Sequence, residues 1–163
     1  PWDRVSVTLT NLSAQETRAS SIRSVVADAR SMADFADGSF DLVHSNSVIE
    51  HVGQWRDMMA MAGEVRRLAP AYFVQTPYFW FPTEPHARPP FVQFLPEPLR
   101  YRLFMIRRNG FYAKAANVSH AMEMIQDANL LDRSQMRSLF PDADIRAERA
   151  FGLIKSLIAI RRP

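Results

Sequence analysis

Four short stretches in the first half of the chain read as strands, the first of them alternating apolar and polar positions. "RVSVTLTNLS" (4–13) is β-branched and ends in Asn11, and "SIRSVVADA" (21–29) runs into Asp28. "FDLVHSN" (40–46) opens from an apolar run into small polar residues, and "AYFVQT" (71–76) closes at Thr76 before Pro77. Period two is the strand pattern, and each predicted strand finishes at a small or polar residue. From Gln54 to Leu68 the period turns helical, with Trp55, Met58, Met59, Ala62, Val65 and Leu68 recurring and Pro70 as the stop. Strand, connection and strand alternate, which predicts a parallel sheet with crossover connections.

Residues 77–98 break both periods. They hold seven prolines and six aromatics, too many prolines for a helix or a central strand and too many aromatics for disorder. A packed irregular cap over the sheet's edge is expected, forming with the next helix (98–107) a cap insertion, 77–119, within a single domain of residues 1–163. A further helix is predicted at 120–128. Asp132, with Gln135 three residues on, is the spacing of a capped helix start. "ADIRAERAFGLIKSLIAIRR" (143–162) reads as two strands broken at Gly152, and so short a link makes them antiparallel. The expected fold is α/β: a doubly wound, mostly parallel sheet with a C-terminal antiparallel strand pair.

Composition narrows the partners. A chain of 163 residues is one domain in size, and 47% apolar with 23% charged residues is ordinary for a globular protein. No apolar run nears the roughly 20 residues of a membrane span, and no signal peptide is visible, so no stable membrane insertion is expected. The absence of cysteine excludes disulfides and thiolate metal sites and fits a cytoplasmic location. Of 20 cationic residues only Lys114 and Lys155 are lysine, and the arginines form short scattered pairs. That is a solvated surface rather than a nucleic-acid stripe. The chain starts at Pro1 without an initiator Met, so an upstream part is expected. The five glycines (38, 53, 63, 110, 152) lie at least ten positions apart, too sparse for a loop that cradles a phosphate or cofactor.

The segments "VVADARSMADFADGSFDLVHSNSVIEHV", "EVRRLAPAYFVQTPYFWFPTEPH" and "LFPDADIRAERAFGLIKSLIAI" carry a resemblance over about residues 5–160. In order and spacing they resemble the class I S-adenosylmethionine-dependent methyltransferases, specifically the type 11 small-molecule group. The family pattern is an acidic and a small residue after the third strand, a "sFDlV" fourth strand, an "EHv" turn and a helix with "E..R.l.P". In that family the glycine-rich loop follows the first strand, whereas residues 4–13 align with the second. The resemblance therefore implies that the first strand and its loop are missing. That strand sits between those aligned with 5–11 and 40–46. The chain is expected to show a gap there, unless another segment fills it.

The resemblance implies a Rossmann-like fold, S-adenosylmethionine as cofactor and a small-molecule methyl acceptor. Asn11 stands where the family has an acidic residue on the ribose hydroxyls; an Asn favouring the strand-ending turn is the competing reading. Leu12 would touch the adenine face or serve as core. Asp28 would accept from the adenine amino group while the Ala29 amide donates to a ring nitrogen, or Asp28 would only cap a turn. Ser45 and Asn46 lie where open α/β sheets bind ligands and suit the reactive end of the cofactor, with a plain turn as competitor. His51 is the candidate general base for an oxygen acceptor. Its neighbour Glu50 is expected to be structural or cofactor-adjacent, because adjacent side chains diverge. Tyr78, Trp80, Glu84 and His86 are the candidate acceptor-pocket residues, set against the reading that the cap's aromatics form its own core. Glu84 and His86 alone make a poor metal case, and no metal site is expected. His44 is assigned to packing.

Methyl transfer from a sulfonium is an in-line displacement that needs positioning and exclusion of water rather than a covalent intermediate. Two rivals stand beside it. A nicotinamide-dependent Rossmann enzyme would also carry its glycine loop upstream, but neither lysine has a Tyr four positions before it, as a Tyr-x-x-x-Lys relay requires. A non-catalytic remnant acting as a binding or structural module is the other. The acceptor's identity, the methylated atom and homo-oligomer formation are left open.

Overall fold

Six strands form two sheets with a cleft between them. The computed structural model describes residues 5–17, 19 and 21–163; residue 4, the start of the first expected strand, and Pro1 lie outside these. Strands β1 (Val7–Asn11) and β2 (Ile22–Val26) pair in parallel as a sheet of their own. Strands β3 (Leu42–Asn46), β4 (Ala71–Pro77), β5 (Asp144–Ala150) and β6 (Leu153–Arg161) form the second sheet, in the order β3-β4-β6-β5. β3 and β4 are parallel, while β6 runs antiparallel to both β4 and β5. The mixed α/β architecture and the reversed C-terminal pair are those expected, with Gly152 at the hairpin turn in a left-handed conformation (φ 80°). The facing edges of β1 and β3 have no strand partner, and among the described residues no other segment fills the space.

Helix α1 (Trp55–Leu68) covers the four-stranded sheet, burying Met58, Met61, Ala62, Val65 and Leu68. These meet Tyr72 and Val74 of β4, Leu157 and Ala159 of β6, and Met136, Leu139 and Phe140 from α4 (Arg133–Leu139) and its end. α4 starts as its sequence requires: Asp132 accepts from the Gln135 amide at 2.9 Å, and the Gln135 side chain accepts from the Asp132 amide at 2.8 Å. The Tyr72 hydroxyl, at the edge of this core, donates to Asp142 at 2.5 Å.

The cap has a core of its own. Ala87 and Val92 pack with Phe104 of α2 (Glu97–Ile106), Ala115, and Ala121 and Ile125 of α3 (Val118–Gln126). Pro98 occupies the first turn of α2, where a missing amide costs nothing. No helix among the described residues is long and apolar enough to cross a membrane.

One side chain ties the small sheet's connection to the rest. The Arg67 guanidinium, on the last turn of α1, donates to the carbonyls of Met32 (2.9 Å) and Phe35 (2.7 Å) and to Asp37 (2.7 Å). Glu64, one turn earlier, accepts from Arg67 at 2.8 Å and from the Met32 amide at 2.8 Å. Together they clamp the 32–37 segment, which leads from β2 to β3, onto α1.

Candidate functional site

The carboxyl ends of three strands line one cleft of about 610 Å³. Its walls include Thr8 to Leu12 from β1 and its end, Ala27 to Arg30 after β2, and Val43 to Asn46 of β3, with His51 and Val52 beyond. Asn11, Leu12, Asp28, Ala29, Ser45 and Asn46 therefore face a common space. Ser45 and Asn46 are the last residues of β3 rather than residues past it. The strand ends where Ser47 takes a left-handed conformation (φ 54°), which costs a residue with a Cβ roughly 1–2 kcal/mol. The Ser47 amide donates to the Gln75 carbonyl at 3.0 Å, which holds that bend.

Each side chain in the cleft has its own electrostatic state. The Asn11 side-chain Oδ1 accepts from the Leu12 amide at 2.7 Å, and Leu12 is 74% exposed, so it is not core. Asp28 accepts from the Arg30 side chain at 2.6 Å and from the Arg30 amide at 2.9 Å. Those bonds hold its carboxyl below the ordinary range. Ser45 Oγ is buried and has no hydrogen-bond partner among the described residues. His44 is exposed and stacks flat against Phe73 on the neighbouring strand, centroids 5.2 Å apart.

Beyond β3 a single 3₁₀ turn, Ile49–His51, sends Glu50 and His51 to different environments. Glu50 is fully buried. Its Oε2 accepts from the Thr76 hydroxyl of β4 at 2.9 Å, while Oε1 has no partner among the described residues. Burial pushes its carboxyl up, against the opposing hydrogen bonds from its own amide and from Thr76. His51 Nδ1 donates to the Asp127 carbonyl at 2.9 Å, and its Nε2 lies 3.1 Å from His86 Nε2.

His86 reaches this point because the cap is folded around it. Glu84 accepts from His86 Nδ1 at 2.5 Å, from the His86 amide at 3.0 Å and from the Ala87 amide. Burial works to raise the Glu84 carboxyl, but the His86 and amide hydrogen bonds outweigh it and keep it low. The bond to Glu84 in turn raises His86. On the far side the His86 carbonyl accepts from the Phe111 amide at 2.8 Å. Gly110 (φ 58°) makes that approach feasible, since a Cβ there would collide with the His86 and Ala87 backbone. The Tyr112 hydroxyl donates to Asp127 at 2.7 Å, closing the ring of elements around the two imidazoles.

The four expected acceptor residues separate. Glu84 lines a second cavity of about 480 Å³ between the cap and the start of α1, together with Trp55, Phe79, Gln93, Arg100 and Tyr112. His86 stands between that cavity and the cleft. Tyr78 packs on the main core, and Trp80 stacks on Phe94 at the surface. Tyr112 and Asp127 had no role at this site in the sequence reading, because contacts across 76 positions leave no local pattern. The adjacent Glu50-His51 pair and the Glu84-x-His86 pair were visible; their convergence was not.

Residues 3–70 match the family described as Methyltransferase domain, as the sequence resemblance implies. No curated protein matches the chain. Among solved structures, the PH0226 protein of Pyrococcus horikoshii is 20% identical with a TM-score of 0.56, over 97% of this chain and 71% of that one. The N-terminal domain of EvdMO1, crystallised in the presence of SAH and D-fucose, is 17% identical with a TM-score of 0.48, over 88% and 55%. A protein of Rhodobacter sphaeroides described as a putative Zn-dependent alcohol dehydrogenase is 9% identical with a TM-score of 0.50, over 86% and 66%. The chain thus spans little more than half of the EvdMO1 domain and about two thirds of the other two. At such identities the likeness is one of fold, which is Rossmann-like.

Proposed function

We propose, for a chain whose residues 3–70 carry the methyltransferase-domain pattern, that it is the larger part of an S-adenosylmethionine-dependent methyltransferase acting on a small-molecule acceptor. The observation that carries the reading is the convergence of Asn11, Asp28 and Ser45, from three separate strands, on one cleft. Open α/β sheets bind their ligands outside the carboxyl ends of the strands. The dehydrogenase likeness follows from fold alone, whereas the sequence pattern over 3–70 speaks for methyl transfer.

The residues present fit the cofactor on this side of the cleft. Ser45 Oγ is a buried polar atom without a partner, which a ligand's donor or acceptor would complete. Asn11 and Leu12 are assigned to the ribose and adenine faces, and Asp28 with the Ala29 amide to the adenine edge. Arg30 already holds Asp28 in place, and an ionised carboxylate keeps lone pairs for a second donor. Asn46 closes the end nearest His51. When bound, the cofactor supplies an electrophilic methyl group on a sulfonium.

His51 belongs to the acceptor's side of the reaction. It lines the cleft, and its ring meets His86, whose partner Glu84 lines the cap cavity. The 77–119 cap insertion is the acceptor lid: its own core of Ala87, Val92 and Phe104 keeps it folded over the cavity and excludes water. Within it Glu84 and His86 face the acceptor, while Tyr78 and Trp80 brace the lid's base and outer surface.

Isothermal titration of the full-length protein with S-adenosylhomocysteine tests the reading. Saturable one-to-one binding, weakened by Asp28→Ala, is expected; no heat of binding to the folded protein would end the proposal.

A further inference from the structure

We propose that Glu50, His51 and His86 hold a divalent transition-metal ion, with Zn²⁺ as the probe for it. One ligand atom from each residue lies within 4.8 Å of the other two.

The hydrogen bonds fix the proton positions. Asp127 offers His51 Nδ1 a backbone carbonyl, which can only accept, so Nδ1 carries the proton. Glu84 offers His86 Nδ1 a carboxylate that already accepts from two backbone amides, so that nitrogen also carries its proton. In neutral rings both Nε2 atoms then present lone pairs, and these meet at 3.1 Å. At that distance either one shared proton or a metal ion relieves the contact, and the third ligand, Glu50, favours the ion. Two imidazole nitrogens bound at about 2.0–2.1 Å to one tetrahedral ion lie roughly 3.3 Å apart, close to the spacing found. The rings stand at 84° to one another, so each can direct its lone pair to a shared point without stacking.

The third ligand is independent of the imidazoles. Glu50 is fully buried, yet its Oε1 has no partner among the described residues. A buried carboxyl oxygen without a partner is rare in folded proteins, and a bound cation would both complete it and favour the ionised form. Glu84 and the Asp127 carbonyl stand behind the two histidines as the orienting acceptors that metal-bound imidazoles ordinarily have. Two histidines and one carboxylate, with no fourth protein ligand in the group, make the donor set of a catalytic ion rather than of a closed structural site.

This deepens the role given to His51 and rests on the methyl-transfer reading for its consequence. An acceptor hydroxyl at the open position would be acidified by the ion. Its proton would leave to solvent, its electron pair would form the new oxygen–methyl bond, and the sulfur–methyl bond would break with its pair returning to sulfur. The acceptor class is then an alcohol or phenol.

The test uses purified protein stripped with EDTA and titrated with Zn²⁺ in the absence of any adenosine ligand. Metal analysis after gel filtration gives the stoichiometry, and Co²⁺ in place of Zn²⁺ gives a visible absorption band that reports coordination. One ion per chain is expected. His51→Ala and His86→Ala should each weaken binding at least about 100-fold, and Glu84→Gln about 10- to 100-fold with the stoichiometry kept. Both histidines are partly exposed, so these variants read the site even if Glu50→Gln fails to fold. Folded protein, by circular dichroism, that binds no Zn²⁺ would overturn the proposal and leave a shared proton between the two nitrogens. Binding unchanged in His86→Ala would overturn it equally. Because no adenosine ligand is present, failure here is separate from failure of the S-adenosylhomocysteine titration.

Discussion

Strands β1 and β4 both read as strands in the sequence, yet they end in opposite surroundings. In β4 the alternate residues Tyr72, Val74 and Thr76 are at most 1% exposed, with β3 and β6 on either side and α1 above. In β1, Val7 and Leu9 remain 41% and 44% exposed, and among the described residues β2 is its one strand partner. A strand's pattern says which residues share a face; burial depends on a second layer and on neighbours at both edges. The four-stranded half has a core of its own, and Arg67 ties the connection that follows the two-stranded half to α1.

The largest effect should come from the buried half. Phe140→Ala should cost about 3–5 kcal/mol of unfolding free energy, whereas Val26→Ala in β2 should stay within about 0.5 kcal/mol. Urea denaturation of both variants measures the contrast, and equal losses would erase the distinction between the halves.

Next is the clamp. Arg67→Ala removes charge-assisted bonds to Met32, Phe35, Asp37 and Glu64, and a loss of stability smaller than that of Phe140→Ala is expected. Hydrogen exchange should locate the change: amides of β1, β2 and 32–37 should speed up, and those of β4 and β6 should not. Uniform acceleration would show that the halves unfold as one.

The smallest effect is a pH dependence. The hydrogen bond from Arg67, with help from the Met32 amide, holds Glu64 below its ordinary value of 4.5. Its folded-state pKa is depressed, so its stabilisation is complete above about pH 4.5 and is lost as pH falls through the lower folded value. The acid limb of a stability–pH curve should therefore be shallower in Arg67→Met than in the parent protein. Identical limbs would show that Glu64 does not couple the two halves.

Most of the architecture could be read from local rules. The capped start of α4 follows from Asp132 and Gln135, the end of α1 from Pro70, and the antiparallel pair from the short link at Gly152. The cleft residues were legible too, because strand ends are local features and the family pattern fixed which ends to compare. What stayed hidden needed information from two distant places at once. His51 and His86 are 35 positions apart, and their meeting depends on Gly110 admitting the Phe111 amide to the His86 carbonyl. That Glu50 would be sealed in without a donor for one oxygen could not be seen either, since an acid next to a histidine reads as exposed polarity. The separation of Tyr78 and Trp80 from Glu84 has the same origin: the cap's aromatics satisfy one another before they meet any ligand.

The close approach at position 110 leaves the placement of one imidazole dependent on the absence of a single methyl group. A Cβ there would meet the His86 and Ala87 backbone within 3 Å. Gly110→Ala should therefore shift the 84–87 turn and draw the His86 ring away from His51 while leaving the main core intact.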